Sequence, residues 1–267
     1  MPRSLIAAAA LFAVPLAGQS SELTLPDRAD DFTAFAFVES DVVIPIPSEV
    51  FNVLGKFDYD RTAWKAQLRP PSNKACRDRI HTALYLGSVV AEGFLAVQAE
   101  DSATVREVGR VVLDLTQALG LRDSVLRHTK SILSASEDSR WGVVRDEFDA
   151  TRQTVRDVMK ERRDLDLAHC VSIGGWLRGT EIVTAMIQRQ YTPEKGEILH
   201  QPRILEQFDE AIAAMDPSLR HSPRLKSISR DFAALKPLMS GEKSPTVRQV
   251  NDIHTICGRL GRTVVEP

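Results

Sequence analysis

Three charged residues stand where the surrounding sequence is apolar. Glu92 lies among Val89, Val90, Ala91, Gly93 and Phe94, and Arg178 and Glu181 lie inside LAHCVSIGGWLRGTEIVTAMI, residues 167–187. Residues three apart share a helix face, so Arg178 and Glu181 project together. An unpaired buried charge costs on the order of several kcal/mol, so a carboxylate in such a place needs a cationic partner. If the two segments pack, Glu92 and Arg178 meet in a dry interior. That meeting is either a structural ion pair or a ligand-binding constellation of Glu92, Arg178 and Glu181. In the second case the three side chains could also serve an enzyme as acid–base or anion-holding groups.

The remaining candidates are weaker. His128, close to Ile132, reads first as a satisfied boundary histidine and second as a ligand contact. Trp176 reads first as a core anchor and second as a ligand contact, and Trp64 and Trp141 read as anchors. His254 and Cys257 have the converging i,i+3 spacing of metal ligands, whereas His169 and Cys170 diverge; two ligands do not make a site. Glu197-Ile-Leu-His200 is one ExxH of the two a di-iron bundle needs, but Gly196 and Pro202 place it at a loop. Asp58-Tyr59-Asp60 begins like a calcium loop that lacks its glycine and closing glutamate. GxSxG, HExxH, P-loop and dinucleotide fingerprints do not occur. No metal, cofactor or catalytic residue is therefore expected.

The elements that must position these residues are helical. In residues 73–99, Cys76, Ile80, Ala83, Gly87, Val90, Phe94 and Val97 recur at spacings of four and three, and Leu84, Ala91 and Leu95 add a second stripe. A helix apolar on most sides belongs in the middle of a bundle. Asp101 or Ser102 caps the next helix, which Gly120 stops; a third begins at once at Leu121, implying antiparallel neighbours. Asp138 opens a long helix whose stripe is Trp141, Val144, Phe148, Thr151, Val155 and Val158. Its other faces mix both charge signs and read as solvated. Gly174, Gly175 and Gly179 interrupt the 167–187 helix. Each interior glycine is disfavoured by about 1 kcal/mol relative to alanine, so close helix–helix approach is the natural reason for them, with Gly87 and Gly93 marking the partner. Three more helices follow the stripes Ile204–Met215, Leu225–Met239 and Val247–Leu260. Asp216-Pro217 should end the first of them. No pair of alternating runs is joined by a hairpin signature. The expected fold is all-α: a bundle of seven to eight principal helices over residues 73–267. An extended N-terminal arm with a short helix at 49–56 occupies residues 21–72.

The N-terminus states an address. Arg3 precedes an apolar run of 12 residues, Leu5 to Leu16, and Ala17, Gly18, Ser20 and Ser21 offer small residues for cleavage. A span needs about 20 apolar residues, so residues 1–20 read as a secretory signal peptide and the mature chain as periplasmic or secreted, with no membrane span. Gln19 stands where a lipoprotein would carry its acylated cysteine. The 267 residues hold 34 Lys+Arg and 36 Asp+Glu, a formal charge of -2, which gives no basic surface for nucleic acid. Of the three cysteines, Cys76, Cys170 and Cys257, all sit on apolar helix faces and read as buried thiols, with one disulfide as the alternative.

YLGSVVAEGFLAVQAED (85–101) and LAHCVSIGGWLRGTEI (167–182) resemble segments of a group of secreted, all-helical bacterial proteins of unassigned function. The resemblance implies a helical, exported protein and carries no catalytic residue. The leading expectation is an envelope interaction or small-ligand-binding module, whose partner is an unknown small molecule or envelope protein. An enzyme built on the Glu92 cluster is the alternative. A homo-oligomer joined through the 141–158 stripe is the third reading.

Overall fold

The computed structural model describes residues 36–39, 42–45, 59–71, 76, 78–241 and 243–266. The expected signal peptide and the 49–56 helix lie outside the described residues. The architecture is all-α, with eleven helices among the described residues. They are α1 (Arg61–Lys65), α2 (Arg79–Gln98), α3 (Ser102–Ala118), α4 (Arg122–Glu137), α5 (Trp141–Glu161) and α6 (Leu165–Arg189). The series continues with α7 (Pro193–Glu197), α8 (Pro202–Ala214), α9 (Pro217–Arg220), α10 (Pro223–Met239) and α11 (Val247–Val265). The arm adds an antiparallel pair, β1 (Ala36–Glu39) and β2 (Val42–Pro45), in the register Ala36 opposite Pro45. This pair was not expected: Ser40-Asp41 between the strands lacks the Asn-Gly or Asp-Gly that marks a two-residue hairpin. β2 lies against α6 and α8.

Local chemistry sets the helix ends. Asp78 caps α2 by accepting from the His81 N–H, so the helix starts at Arg79, later than the 73 expected. Asp101 caps α3 through the Thr104 N–H, and Thr246 with Gln249 forms a capping box on α11. α2 through α6 are joined by four Schellman turns, each with one left-handed residue: Glu100, Gly120, Ser139 and Arg163, at φ 49°, 75°, 56° and 59°. In the first, the Asp101 N–H donates to the Ala96 carbonyl and the Glu100 N–H to that of Val97. Leu121, Arg140 and Asp164 repeat the longer bond to Thr116, Ala135 and Met159. Each of these four residues is also the N-cap of the following helix. Asp138 is thus the C-cap of α4 and not the start of α5 as its side chain had implied.

α2 is buried over almost its whole surface, from Ile80 to Val97. It is also the one helix among the described residues long and apolar enough to cross a membrane, and that stretch is wholly buried inside the bundle. α6 runs alongside it in the same sense. A Cβ on Gly87 would stand 1.9 Å from the Val171 carbonyl oxygen, and one on Gly174 would stand 1.9 Å from that of Leu84. The two backbones therefore touch where the glycines are, as the sequence implied. Two glycines were misread: Gly93 makes room for the Phe148 ring of α5, and Gly179 has open space beside it. The stripe Val144, Phe148, Thr151 and Val155 is buried within the chain's own bundle, and Trp141 and Val158 at its ends are partly buried.

All three cysteines are free thiols. Burial pushes Cys170 up to about 12, raises Cys257 further, and raises the half-buried Cys76. The thiolate is the reactive form. At pH 8 a thiol reagent should therefore leave Cys170 and Cys257 untouched in the native chain, label Cys76 slowly, and label all three in denaturant. Because the folded state holds these thiols protonated, their linkage contribution is complete below the ordinary thiol range. It fades as pH rises through that range and the unfolded chain ionises. Rapid native labelling of Cys170 or Cys257 would contradict this packing.

Candidate functional site

Spacing along three helices builds the site. On α2, Tyr85, Ser88, Val89 and Glu92 recur at three and four residues and present one face. On α6, Arg178 and Glu181 do the same, and on α11 Gly258, Gly261 and Val265. The glycine contact between α2 and α6 holds the first two faces close enough for side chains to bond.

Glu92, Arg178 and Glu181 are 3%, 5% and 2% exposed. Arg178 Nε donates to Glu92 Oε2 at 2.7 Å, and Nη1 donates to Glu181 Oε2 at 3.0 Å. Its Nη2 donates to the backbone carbonyl of Gln67 at 2.6 Å. The arm completes the set. The Arg69 N–H donates to Glu92 Oε1, and Arg69 Nη1 reaches Glu181 Oε1 at 2.7 Å and Oε2 at 2.9 Å. Two guanidiniums thus balance two carboxylates: both oxygens of Glu92 and Oε2 of Glu181 accept hydrogen bonds, and Oε1 of Glu181 is held in an ion pair with Arg69. Pro70 keeps Arg69 out of helical backbone geometry, which suits a residue whose N–H must point sideways at Glu92. Trp64 anchors the same segment in the core at 3% exposed, and the Tyr59 hydroxyl donates to the Met186 carbonyl of α6 at 2.8 Å. Burial of Tyr59 raises its pKa to about 12, with Arg189 pulling the other way.

The cluster does not seal itself off. It forms one wall of a cavity of about 100 Å³, and the arm (Arg69, Pro70, Pro71), α2 (Tyr85, Ser88, Val89) and α11 (Gly261, Val265) supply the rest. A water needs roughly 10–15 Å³ of such space, so this volume admits a small polar molecule or several waters. Gly258 and Gly261 let α11 approach Glu181; a Cβ at Gly258 would lie 3.2 Å from Oε1.

Of the sequence candidates, Glu92, Arg178 and Glu181 are brought together, and His128 and Trp176 are not. His128 bridges α4 to α5, with Nδ1 2.7 Å from Glu147 and Nε2 3.0 Å from Thr154. Burial works to raise the pKa of Glu147, but the His128 and Ser131 hydrogen bonds, with charge attraction from His128 and Arg127, together offset it and leave the carboxyl below its usual range. The Trp176 Nε1–H donates to Gln201 at 3.0 Å, and its ring meets Phe208 and Phe232 edge-on. It faces a separate, apolar cavity of about 40 Å³ lined by Leu86, Val90, Ala91 and Val155 among others. The chain needed Trp176 for that aromatic core, so its polar edge is already bonded.

His254, paired in sequence with Cys257, turns Nδ1 to the Thr184 hydroxyl at 2.9 Å. Glu197 ends α7 and accepts from the Ser244 hydroxyl, so the ExxH does lie at a helix end. Among the described residues no group of three or more His, Cys, Asp or Glu is placed to hold a metal ion.

Sequence reasoning missed Arg69, Gln67 and the α11 glycines. An arginine followed by two prolines was the available signal for Arg69, since it is a charged residue in a fixed extended backbone. Nothing in the sequence marked the Gln67 carbonyl. No protein-family model, curated protein or solved structure matches this chain.

Proposed function

We propose that this chain is an exported helical protein of the bacterial cell envelope that binds a small polar molecule between the arm, α2, α6 and α11. One observation carries the reading: a buried, charge-balanced cluster opens on a cavity instead of closing into packed core. Purely structural ion pairs gain nothing from adjoining empty space, whereas ligand sites combine apolar walls with a few convergent polar groups. Pro70, Val89 and Val265 are such walls here. The apolar run Leu5–Leu16 supports the export part. Binding is favoured over acid–base catalysis because both carboxylates are held by arginines, with every carboxylate oxygen in a hydrogen bond or an ion pair.

The test is thermal denaturation of the mature chain against a panel of small amines, guanidines, carboxylates and zwitterions. A compound that binds only the native state at a hundred times its Kd stabilises by about 2.7 kcal/mol and raises Tm. At least one class should do so, and the gain should vanish in Gly261→Leu, whose side chain would enter the cavity. A panel with no stabilising compound, or a gain that persists in folded Gly261→Leu, overturns the proposal.

A further inference from the structure

The four charges of the cluster are not held equally. Arg178 is 6% exposed at its side chain and donates to three acceptors on three segments. Arg69 is 60% exposed at its side chain, and among the described residues its guanidinium reaches one partner, Glu181, through one nitrogen. Its backbone N–H keeps a separate bond to Glu92. The side chain of Arg69 can therefore leave without the arm letting go. Once it leaves, the interior holds two carboxylates against one guanidinium, and Glu181 at the cavity wall is left only the share of Arg178 that reaches its Oε2. A buried carboxylate in that position demands a replacement positive charge.

Resting on the ligand-binding reading above, we infer that the cavity takes a small alkylated cation, a guanidine or a primary amine. Its charged head takes the place of the Arg69 guanidinium on Glu181. The Arg69 side chain is then a built-in stand-in for the ligand, and binding exchanges one guanidinium or ammonium for another at constant charge. The apolar part of the ligand lies against Pro70, Pro71, Val89 and Val265, and the missing side chain of Gly261 leaves the space. An anion finds less: the guanidinium deepest in the cavity, Arg178, already donates to both carboxylates and to Gln67.

The experiment is calorimetric titration of the full mature chain with methylguanidine and n-propylamine, and with acetate and methyl phosphate as anionic counterparts. The proteins are wild type, Arg69→Ala, Arg69→Gln and Arg69→Gln/Glu181→Gln. Removing the competing side chain should tighten binding of the cations at least tenfold in Arg69→Ala and Arg69→Gln, and the added Glu181→Gln should abolish it. Two Arg69 variants are used so that one folded protein suffices. Equal cation affinity with and without the Arg69 side chain, or binding that survives Glu181→Gln, overturns the inference. Anions that bind wild type and are lost with Arg69 also overturn it, while leaving the cavity a ligand site. If neither charge class binds any variant, this assignment falls, and the wider panel with Gly261→Leu decides the reading beneath it.

Discussion

Gly174→Ala should unfold the bundle or come close to it. The new Cβ would stand 1.9 Å from the Leu84 carbonyl oxygen, 2.7 Å from its carbon and 3.0 Å from the Leu84 Cα. All three atoms belong to a helix backbone, which cannot swing aside as a side-chain tip can, so α2 and α6 would have to separate. Overpacking a core costs about 1–3 kcal/mol and occasionally more. With rigid backbone on both sides the loss here should exceed about 3 kcal/mol, a large share of the roughly 5–15 kcal/mol that holds a typical domain. Gly87→Ala should behave alike, since its Cβ would meet the Val171 oxygen at 1.9 Å. Gly179→Ala is the control. It meets nothing within 4 Å, and helix propensity alone should make it neutral or up to about 1 kcal/mol more stable. Urea denaturation followed by circular dichroism reads all three. A Gly174→Ala protein within about 1 kcal/mol of wild type would mean that the helices are not in backbone contact.

Arg178→Met should be the most damaging single change at the site. Methionine keeps much of the volume but strips donors from Glu92, Glu181 and the Gln67 carbonyl. Removing one partner of a buried ion pair costs about 3–5 kcal/mol, because the charges left behind stay out of water. The same reasoning predicts a rescue. Arg178→Met/Glu92→Gln/Glu181→Gln removes the uncompensated charge and should recover part of the loss. A triple variant no more stable than Arg178→Met would show that packing, and not charge, is what Arg178 provides. Denaturant midpoints at one pH and salt concentration decide it.

Periodicity carried most of this fold on its face. The stripes of α2 and α5 are long and repeat at three and four, so their existence could be read directly; Asp101 and Gly120 marked a cap and a stop where the chain uses them. Asp138 misled because an aspartate before a helix suggests an N-cap, yet the chain closes α4 there and begins α5 from Arg140, which makes no side-chain cap. The short helices α1, α7 and α9 were not foreseen. Each has four or five residues, too few for a stripe, and depends on a cap such as Asp60, Thr192 or Asp216. The meeting of Glu92 with Arg178 was readable because both were charges in apolar helices that needed each other. Arg69 was not, since its role comes from how an irregular segment lies on the bundle, and periodicity says nothing about that.

The four Schellman turns have a consequence for the ion cluster, which none of them touches. Asp101, Leu121, Arg140 and Asp164 each close one helix and open the next, so the connections contain no slack. A residue inserted at any of them cannot be looped out and must instead rotate the following helix by about 100°. Azimuth is thus handed from α2 to α6 through three intermediate helices. A single-residue insertion after Ser139 would be felt as Arg178 aimed away from Glu92. The fidelity of the charged centre is set by the exact length of turns at the ends of the rods.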